Sequence, residues 1–387
     1  MIRFMLGAIA ATLVVGVVMA VAPGATPKTG KARMEFDNLD SALLEHMALL
    51  QAKSLTVAVS LRGELIYSRG FGWRDQGGRQ PCQPDAMMRI ASVSKPVTAA
   101  AVRELVAKGQ LTLETPAFKL LALKPPKGGK VDPEMSKITV GDLLDHKGGW
   151  DRAASFDPMF AVPRIKKELG LTRAPNPADV VRFMQTQPLD FEPAKKVAYS
   201  NFGYCVLGRV LEKAHGKPYF ATVQELVLKP HGVADVRLGV DQASRRDPRE
   251  VEYPAAAGSF SIDVMDAHGG LVASAPALCA FMSHYVLNGE TRQPGGTIDS
   301  TFFGSMPGTT AMARQRKDGL NIAVLINNRR DANFNEDLKT LESVVDKALV
   351  KLPPGQSGSF VICTLEFKAL DHALVVECGQ HPDPKND

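Results

Sequence analysis

A five-residue motif, Ser92-Val93-Ser94-Lys95-Pro96, lies at the start of a helix that the sequence predicts to continue to residue 107. Proline has no amide hydrogen, so Pro96 fits a helix only in its first turn, where amides have no helical partner. The helix therefore begins near Ser92, whose hydroxyl lies at the positive end of the helix dipole, with Lys95 on the same face. A serine needs a neighbouring base to become a nucleophile, and burial lowers the pKa of a lysine towards that role. The pattern predicts a nucleophile and its base; the alternative is that Ser92 only caps the helix.

A second motif, Tyr199-Ser-Asn201, occurs once in the chain and precedes another helical pattern. We expect Asn201 to cap a helix over 202–215. A lysine base works best beside a second group that carries protons, and Tyr199 is the candidate for that role. The alternative is that Tyr199 is a half-buried core tyrosine without a catalytic role.

Strand patterns lie near both ends of the chain, around a middle that is mostly helical. Two hairpins are predicted, at 55–68 about Arg62-Gly63 and at 309–327 about Lys317-Asp-Gly319, and an amphipathic helix follows over 335–349. Between about 109 and 260, short helical patterns alternate with proline-rich loops. We therefore predict an α+β fold, in which an antiparallel sheet built from both ends is flanked by helices and carries an inserted all-α subdomain.

The first 23 residues have the pattern of an export signal or an N-terminal anchor. Arg3 precedes an uncharged, mostly apolar stretch at 5–22 that ends in Ala20-Val-Ala22, a small-x-small pattern typical of a cleavage site. Pro23 is a poor residue after such a cut, so an uncleaved membrane anchor is one alternative and a buried core helix is another. Residues 24–36 are predicted to be a linker before the main domain at 37–350. We expect that domain to be exported, and so periplasmic or otherwise extracytoplasmic.

Composition and charge exclude several functional classes. The 387 residues are 45% hydrophobic and 22% charged, as in a folded globular protein and not a disordered one. The net charge is +5. Residues 1–33 hold four basic side chains and no acid, so the body carries only about +1 and lacks a basic footprint for nucleic acid. None of the five cysteines lies in a zinc-binding pattern, and we expect neither a metal nor a cofactor.

Together with three further segments, the two motifs resemble those of the serine hydrolases related to class C β-lactamases, penicillin-binding D,D-peptidases and their esterase relatives. The resemblance covers about residues 36–350 and is carried, in order, by the segments 88–95, 138–149, 199–203, 268–274 and 306–309. It implies a β-lactamase/transpeptidase-like fold, with Ser92 as the acylated nucleophile and Lys95 as its base. It also implies that Tyr199 passes a proton to the leaving group and that Asn201 positions the substrate.

The sequence departs from that family at the motif on the strand facing the active serine. The family has Lys or His, then Thr or Ser, then Gly, whereas Phe302-Phe303-Gly304 stands here before Ser305. The resemblance implies an oxyanion hole made by the backbone N–H groups of Ser92 and Ser305, which any residue type can supply. Residues 302–305 are predicted to contact substrate. Trp150, in a loop that resembles one bordering the family's site, is a further predicted contact, unless it is only a packing residue.

The sequence therefore predicts an exported serine hydrolase that cleaves an ester or amide of a small molecule or peptide. Two alternatives stay open: a catalytically weak protein of this fold that binds peptide or cell-wall fragments, and a β-lactamase or D,D-peptidase. Because Phe302 and Phe303 stand where the family has a cation, we expect neutral esters or amides to react faster than β-lactams or D,D-peptides. Arg314 or Arg316 could compensate for the missing charge.

The tail at 351–387 extends beyond the family's usual end and contains two strand patterns around a turn at 369–372. Pairing about that turn gives three apolar pairs on one face: Phe367 with Leu374, Leu365 with Val376, and Cys363 with Cys378. We predict a terminal hairpin and a Cys363–Cys378 disulfide, the alternative being two reduced cysteines packed side by side.

Overall fold

The computed structural model describes residues 26–254 and 260–350, together with the backbone of two strands at 361–368 and 373–380. The strands, in chain order, are β1 (Lys28–Thr29), β2 (Ser54–Leu61), β3 (Glu64–Gly72), β4 (Met87–Arg89), β5 (Val236–Leu238), β6 (Leu271–Ser274), β7 (Ser300–Met306), β8 (Thr309–Gln315), β9 (Leu320–Ile326), β10 (Val361–Lys368) and β11 (Ala373–Gln380). The α-helices are α1 (Asp37–Leu49), α2 (Ser94–Ala107), α3 (Ala117–Leu121), α4 (Val140–Leu144), α5 (Val162–Glu168), α6 (Pro177–Met184), α7 (Asn201–His215), α8 (Tyr219–Val223), α9 (Asp266–Gly269), α10 (Ala275–His284) and α11 (Phe334–Ala348). Within these residues, no helix has both the length and the apolar character needed to cross a membrane. The apolar segment at 5–22 and the cleavage site predicted at its end lie outside the described residues.

Strands from both ends of the chain form one six-stranded antiparallel sheet, in the order β1-β3-β2-β9-β8-β7. Both internal hairpins lie where the sequence predicts them. The first turns tightly because Arg62 and Gly63 adopt left-handed conformations, with φ of 51° and 95°. A second, three-stranded sheet has the order β4-β6-β5. The predicted α+β fold, with an antiparallel sheet assembled from both ends of the chain, is confirmed.

Helices α3 to α8, most of them short and separated by loops, lie in the middle of the chain, as expected for about 109–260. The segment differs from the expectation in one short element, because β5 lies within it and pairs antiparallel with β6 through Val236 and Ala273. Three residues are too few to show the alternating pattern by which a strand is recognised in a sequence.

Helices pack on both faces of the main sheet. On one face, α1 and α11 contact each other and bury Leu43 and Leu341 against strand residues such as Val57. On the other face, the larger apolar cluster includes residues of α2, α7 and α10. Every residue of α2 from Ser94 to Val102 is buried. This central position takes Lys95 out of bulk solvent.

At the end of the chain, β10 and β11 pair antiparallel in the register that the sequence predicts, with Cys363 opposite Cys378 and Leu365 opposite Val376. The side chains of both strands lie outside the described part of the structure. The Cys363–Cys378 disulfide therefore stays a prediction.

Candidate active site

Ser92 lies in a short 3₁₀ turn (Ala91–Val93) that leads directly into α2. Pro96 is the third residue of α2, inside the first turn, as its missing amide hydrogen requires. Ala91 has a φ of 46°, a left-handed conformation that costs a residue with a side chain on the order of 1 kcal/mol or more. Such strain is found where a neighbouring group must be held in one place, and here that neighbour is Ser92.

Lys95 is buried and donates from Nζ to three oxygens. These are Ser92 Oγ at 3.2 Å, Asn201 Oδ1 at 2.7 Å and the main-chain carbonyl of His268 at 2.8 Å. Burial lowers the pKa of Lys95, because the ammonium form loses its hydration, and interactions with Tyr199 oppose this effect in part. A lysine with a lowered pKa is more often neutral and can then accept a proton from the Ser92 hydroxyl 3.2 Å away.

Tyr199 completes the set around the serine, because its hydroxyl donates to Ser92 Oγ at 2.7 Å. Two other side chains contact its ring. The His146 ring lies 4.6 Å away, centroid to centroid, and the Arg152 guanidinium carbon lies 4.9 Å from the Tyr199 centroid. Burial lowers the pKa of His146 to about 4, so near neutral pH His146 is an uncharged neighbour of the tyrosine.

Asn201 is the first residue of α7 and does not cap it, contrary to the prediction. Ser200 caps the helix instead, because its Oγ accepts from the backbone N–H of Gly203 at 3.1 Å. The Asn201 amide is thereby available to the site. Its Oδ1 accepts from Lys95, and its Nδ2 donates to Asp157 Oδ2 at 2.6 Å. Since a carboxylate only accepts hydrogen bonds, Asp157 fixes which end of the amide faces the lysine.

Strand β7 passes directly beside the segment that precedes Ser92. A Cβ atom on Gly304 would lie 2.1 Å from the carbonyl oxygen of Ile90, so only glycine allows this approach. Ser305, the next residue, faces the same cleft as Ser92. The two phenylalanines differ in position: Phe303 lines the cleft, whereas Phe302 packs against the large apolar cluster and is not among the described lining residues.

The cleft has a volume of about 520 Å³. Its described lining residues are Ser92, Arg152, Phe160, Tyr199, Asn201, Phe303, Ser305, Pro307, Arg329, Phe334, Asn335 and Leu338. They include two arginines and no aspartate or glutamate. The Ser92 hydroxyl, Tyr199 and two cations therefore line one cavity, and the buried Lys95 lies behind Ser92.

Neither arginine suggested by the sequence reaches this cavity. Arg314 contacts Asp299 at 2.5 Å and Asp346 at 3.1 Å, and Arg316 contacts Asp318 at 2.6 Å. These acids hold both guanidinium groups outside the described lining of the cleft. The cation beside the third motif is Arg329, whose Nη1 lies 3.3 Å from Ser305 Oγ.

Trp150 lies outside the cleft, which corrects its prediction as a substrate contact. The side chain is buried and packs edge-on against Phe202, with ring centroids 4.6 Å apart, and against Phe118 at 6.1 Å. Two glycines precede it, and the neighbouring Gly149 needs a left-handed φ of 100°. This backbone turns the indole inwards. Trp150 is therefore a packing residue, which was the alternative that the sequence left open.

Sequence reasoning missed Asp157 and Arg329. Asp157 stands in a loop as the N-terminal cap of a 3₁₀ turn, where its oxygen accepts from the Met159 amide at 3.1 Å, and the sequence shows only this local capping pattern. Arg329 follows β9 in an Asn-Asn-Arg-Arg run. This run follows a predicted strand, but nothing in it marks Arg329 as a residue of the cleft.

A family model described as Beta-lactamase matches residues 39–347. Among curated proteins, the chain is 32% identical over 239 residues to a "Probable fimbrial assembly protein FimD, serogroup H1" of Dichelobacter nodosus, covering 58% of this chain and 56% of that protein. It is 31% identical over 194 residues to esterase EstB of Burkholderia gladioli, covering 48% of each. The chain thus matches about half the length of these relatives.

Solved structures share the fold. A D-amino acid amidase from Ochrobactrum anthropi SV3 superposes with a TM-score of 0.62 at 20% identity, over 81% of this chain and 99% of that one. A β-lactamase/D-alanine carboxypeptidase from Yersinia pestis superposes with a TM-score of 0.60 at 16% identity, over 81% and 98%. At these identities the likeness is one of fold.

Proposed function

The chain belongs to the β-lactamase family of serine hydrolases, and we propose that it cleaves an ester or amide through an acyl-enzyme on Ser92. One observation carries the proposal: Ser92 Oγ lies within hydrogen-bonding distance of both Lys95 Nζ, at 3.2 Å, and the Tyr199 hydroxyl, at 2.7 Å. A hydroxyl between a buried amine and a phenol has both a base and a route for its proton.

In the acylation step, Ser92 Oγ bonds to the carbonyl carbon of the substrate while its proton moves to the neutral amine of Lys95. The tetrahedral intermediate collapses when the bond to the leaving group breaks. Tyr199 donates its proton to the leaving oxygen or nitrogen and regains one from Lys95. Water then attacks the acyl carbon, the acid departs, and Ser92 recovers its proton, so the cycle closes without a redox step.

The backbone N–H groups of Ser92 and Ser305 are the proposed donors to the developing oxyanion. Ser92 lies at the start of α2, where the N–H groups of a helix have no helical partner and carry partial positive charge. The contact between Gly304 and Ile90 brings the strand carrying Ser305 alongside. Fixed donors of this kind are worth about 10²–10³ in rate for each one removed.

Labelling with a fluorophosphonate tests the nucleophile. We expect one adduct by intact-protein mass spectrometry, mapped to the peptide that contains Ser92, and none in Ser92→Ala. Ser94→Ala is the matched control, because the Ser94 hydroxyl accepts from the Leu271 amide instead of facing the cleft. Lys95→Ala and Tyr199→Phe should each slow labelling strongly, with non-additive losses, since the residues act as one unit.

The relatives support an ester or amide as the bond cleaved, since one is named an esterase and one structural neighbour a D-amino acid amidase. A folded protein that shows no adduct at Ser92 would instead support the binding alternative. The fimbrial assembly relative, whose name states no hydrolysis, and the missing Lys or His of the third motif favour that second candidate.

We propose in addition that the domain is exported, on the basis of Arg3 and the apolar segment at 5–22. The test is a fusion of residues 1–36 to a reporter enzyme that is active only outside the cytoplasm. Activity with the native segment, and loss of it when two central residues of 5–22 are replaced by aspartate, is expected. Equal activity of the two fusions contradicts export by this segment.

A further inference from the structure

We propose that Arg329 supplies the cation missing from the third motif, and that the substrate therefore carries a carboxylate close to the bond that is cleaved. The inference rests on the proposed acyl transfer at Ser92 and adds the class of substrate. It replaces the expectation that neutral esters and amides are preferred.

The position of Arg329 beside the proposed oxyanion hole is the first observation. Its Nη1 donates to Ser305 Oγ at 3.3 Å, so the guanidinium lies one side chain away from the backbone N–H that is proposed to bind the oxyanion. Its Nε donates to Asp331 at 2.7 Å, and its guanidinium carbon lies 5.3 Å from the centroid of the Phe334 ring. The side chain is only 18% exposed, so it is held against the wall of the cleft and not spread into solvent.

The charge balance of the cleft is the second observation. Arg152 and Arg329 are the charged residues among its described lining, and Lys95 lies behind Ser92. Asp157 contacts Arg152 and Asn201, and Asp331 contacts Arg329. Neither aspartate is among the described lining residues. A concave wall that presents two guanidinium groups, with no carboxylate among its described lining residues, raises the local concentration of anions.

The chemistry of the guanidinium is the third argument. A carboxylate that leaves water for a cleft needs charged donors in its place, and a guanidinium offers paired N–H groups with matching geometry. The aromatic side chain at the position of the family's cation is no obstacle, because Phe302 packs into the apolar cluster. The remaining wall, formed by Phe303, Phe334 and Leu338, suits methylene groups between the carboxylate and the reacting carbonyl.

Two matched pairs of esters test the inference. In the first pair the charge lies on the acyl side: 4-nitrophenyl hydrogen glutarate against 4-nitrophenyl pentanoate. In the second it lies on the leaving group: 3-acetoxybenzoate against phenyl acetate. A charged hydrogen bond at this position should give the anionic member of at least one pair an advantage of about ten- to hundredfold in kcat/KM. The pair that shows the advantage tells on which side of the scissile bond the carboxylate lies.

The readout for the residue is the ratio of kcat/KM within each pair, not the absolute rate. Arg329→Gln should lower the ratio by about tenfold or more, and Arg329→Lys should lower it less because the charge remains. Arg316→Gln is the matched control: this arginine directly follows β8, as Arg329 follows β9, but it contacts Asp318 and Asp346. It should leave the ratio as in the wild type.

Labelling of Ser92 by a neutral fluorophosphonate separates the two proposals. No label in the wild-type protein means that acyl transfer itself fails. A labelled protein whose ratio is near one for both pairs, or does not change in Arg329→Gln, overturns the role of Arg329 alone. A ratio that falls in Arg152→Gln and not in Arg329→Gln also overturns it.

Discussion

Replacement of Gly304 by alanine should disable the site while leaving the protein folded. The added Cβ would lie 2.1 Å from the Ile90 carbonyl oxygen, and side-chain carbons do not approach closer than about 3.0 Å. Strand β7 and the segment before Ser92 must therefore separate by about 0.9 Å. A displacement of about 1 Å between reacting groups costs on the order of 100-fold in rate, and loss of one oxyanion donor costs a similar factor. We expect kcat/KM for a nitrophenyl ester to fall by about 100-fold.

Gly269→Ala provides the matched control, because this glycine faces the same segment with room to spare. Its added Cβ would lie 3.7 Å from Met306 Cε and 3.8 Å from the carbonyl carbon of Ala91, which are ordinary contact distances. Thermal unfolding followed by circular dichroism shows whether each variant is folded. Overpacking at Gly304 should cost about 1–3 kcal/mol of stability, which lowers Tm without preventing folding. A folded Gly304→Ala variant with activity within threefold of Gly269→Ala would refute the account of this contact.

Three further outcomes are expected. The rate of Ser92 labelling should rise with pH as Lys95 loses its proton. Because burial lowers the pKa of Lys95, the rate should level off below pH 10.5, the ordinary pKa of a lysine. A rate that still rises above pH 10.5 contradicts a lysine base with a lowered pKa. Asp157→Ala should reduce kcat/KM by about tenfold, since the Asn201 amide loses the acceptor that fixes its orientation, while ester turnover at the wild-type rate would exclude Asp157 as a positioning residue. Peptide mapping of exported protein without reductant should show Cys363 linked to Cys378, and two free thiols would remove the disulfide without affecting the hairpin.

Much of the fold follows from local sequence signals. The Arg62-Gly63 turn, Pro96 in the first turn of α2 and the amphipathic pattern of α11 each identify an element at close to its observed bounds. These signals are local, because one residue's conformational limits or one helical period is enough to read them. The strand β5 was not predicted because three residues are too few to show an alternating pattern.

Residue type and spacing were enough to predict the three residues at the centre of the site. Ser92, Lys95 and Tyr199 meet within hydrogen-bonding distance, whereas the roles of Asn201 and Trp150 depended on orientation. Ser200 competes with Asn201 for the cap, and packing against Phe202 turns Trp150 away from the cleft. Such outcomes are decided by tertiary contacts between distant segments, which no local pattern contains.

The position of the cleft's cations was the least predictable feature. Arg314, Arg316 and Arg329 are the same residue type within a short stretch, and nothing local distinguishes them. What separates them is the set of acids each one meets. Asp346 of α11 contacts both Arg314 and Arg316, while Arg329 contacts Asp331, two residues on in the chain, and lies beside Ser305.

The acyl-enzyme is tested most directly by product partitioning between water and an added alcohol. Phenyl acetate and 4-nitrophenyl acetate share an acyl group and differ in the leaving group, so both should produce the same acetyl-Ser92 intermediate. With methanol present, we predict the same ratio of methyl acetate to acetate from the two esters, and no enzymatic product of either kind from Ser92→Ala. Ratios that differ between the two esters, or turnover that survives in Ser92→Ala, would contradict a common acyl-enzyme on Ser92.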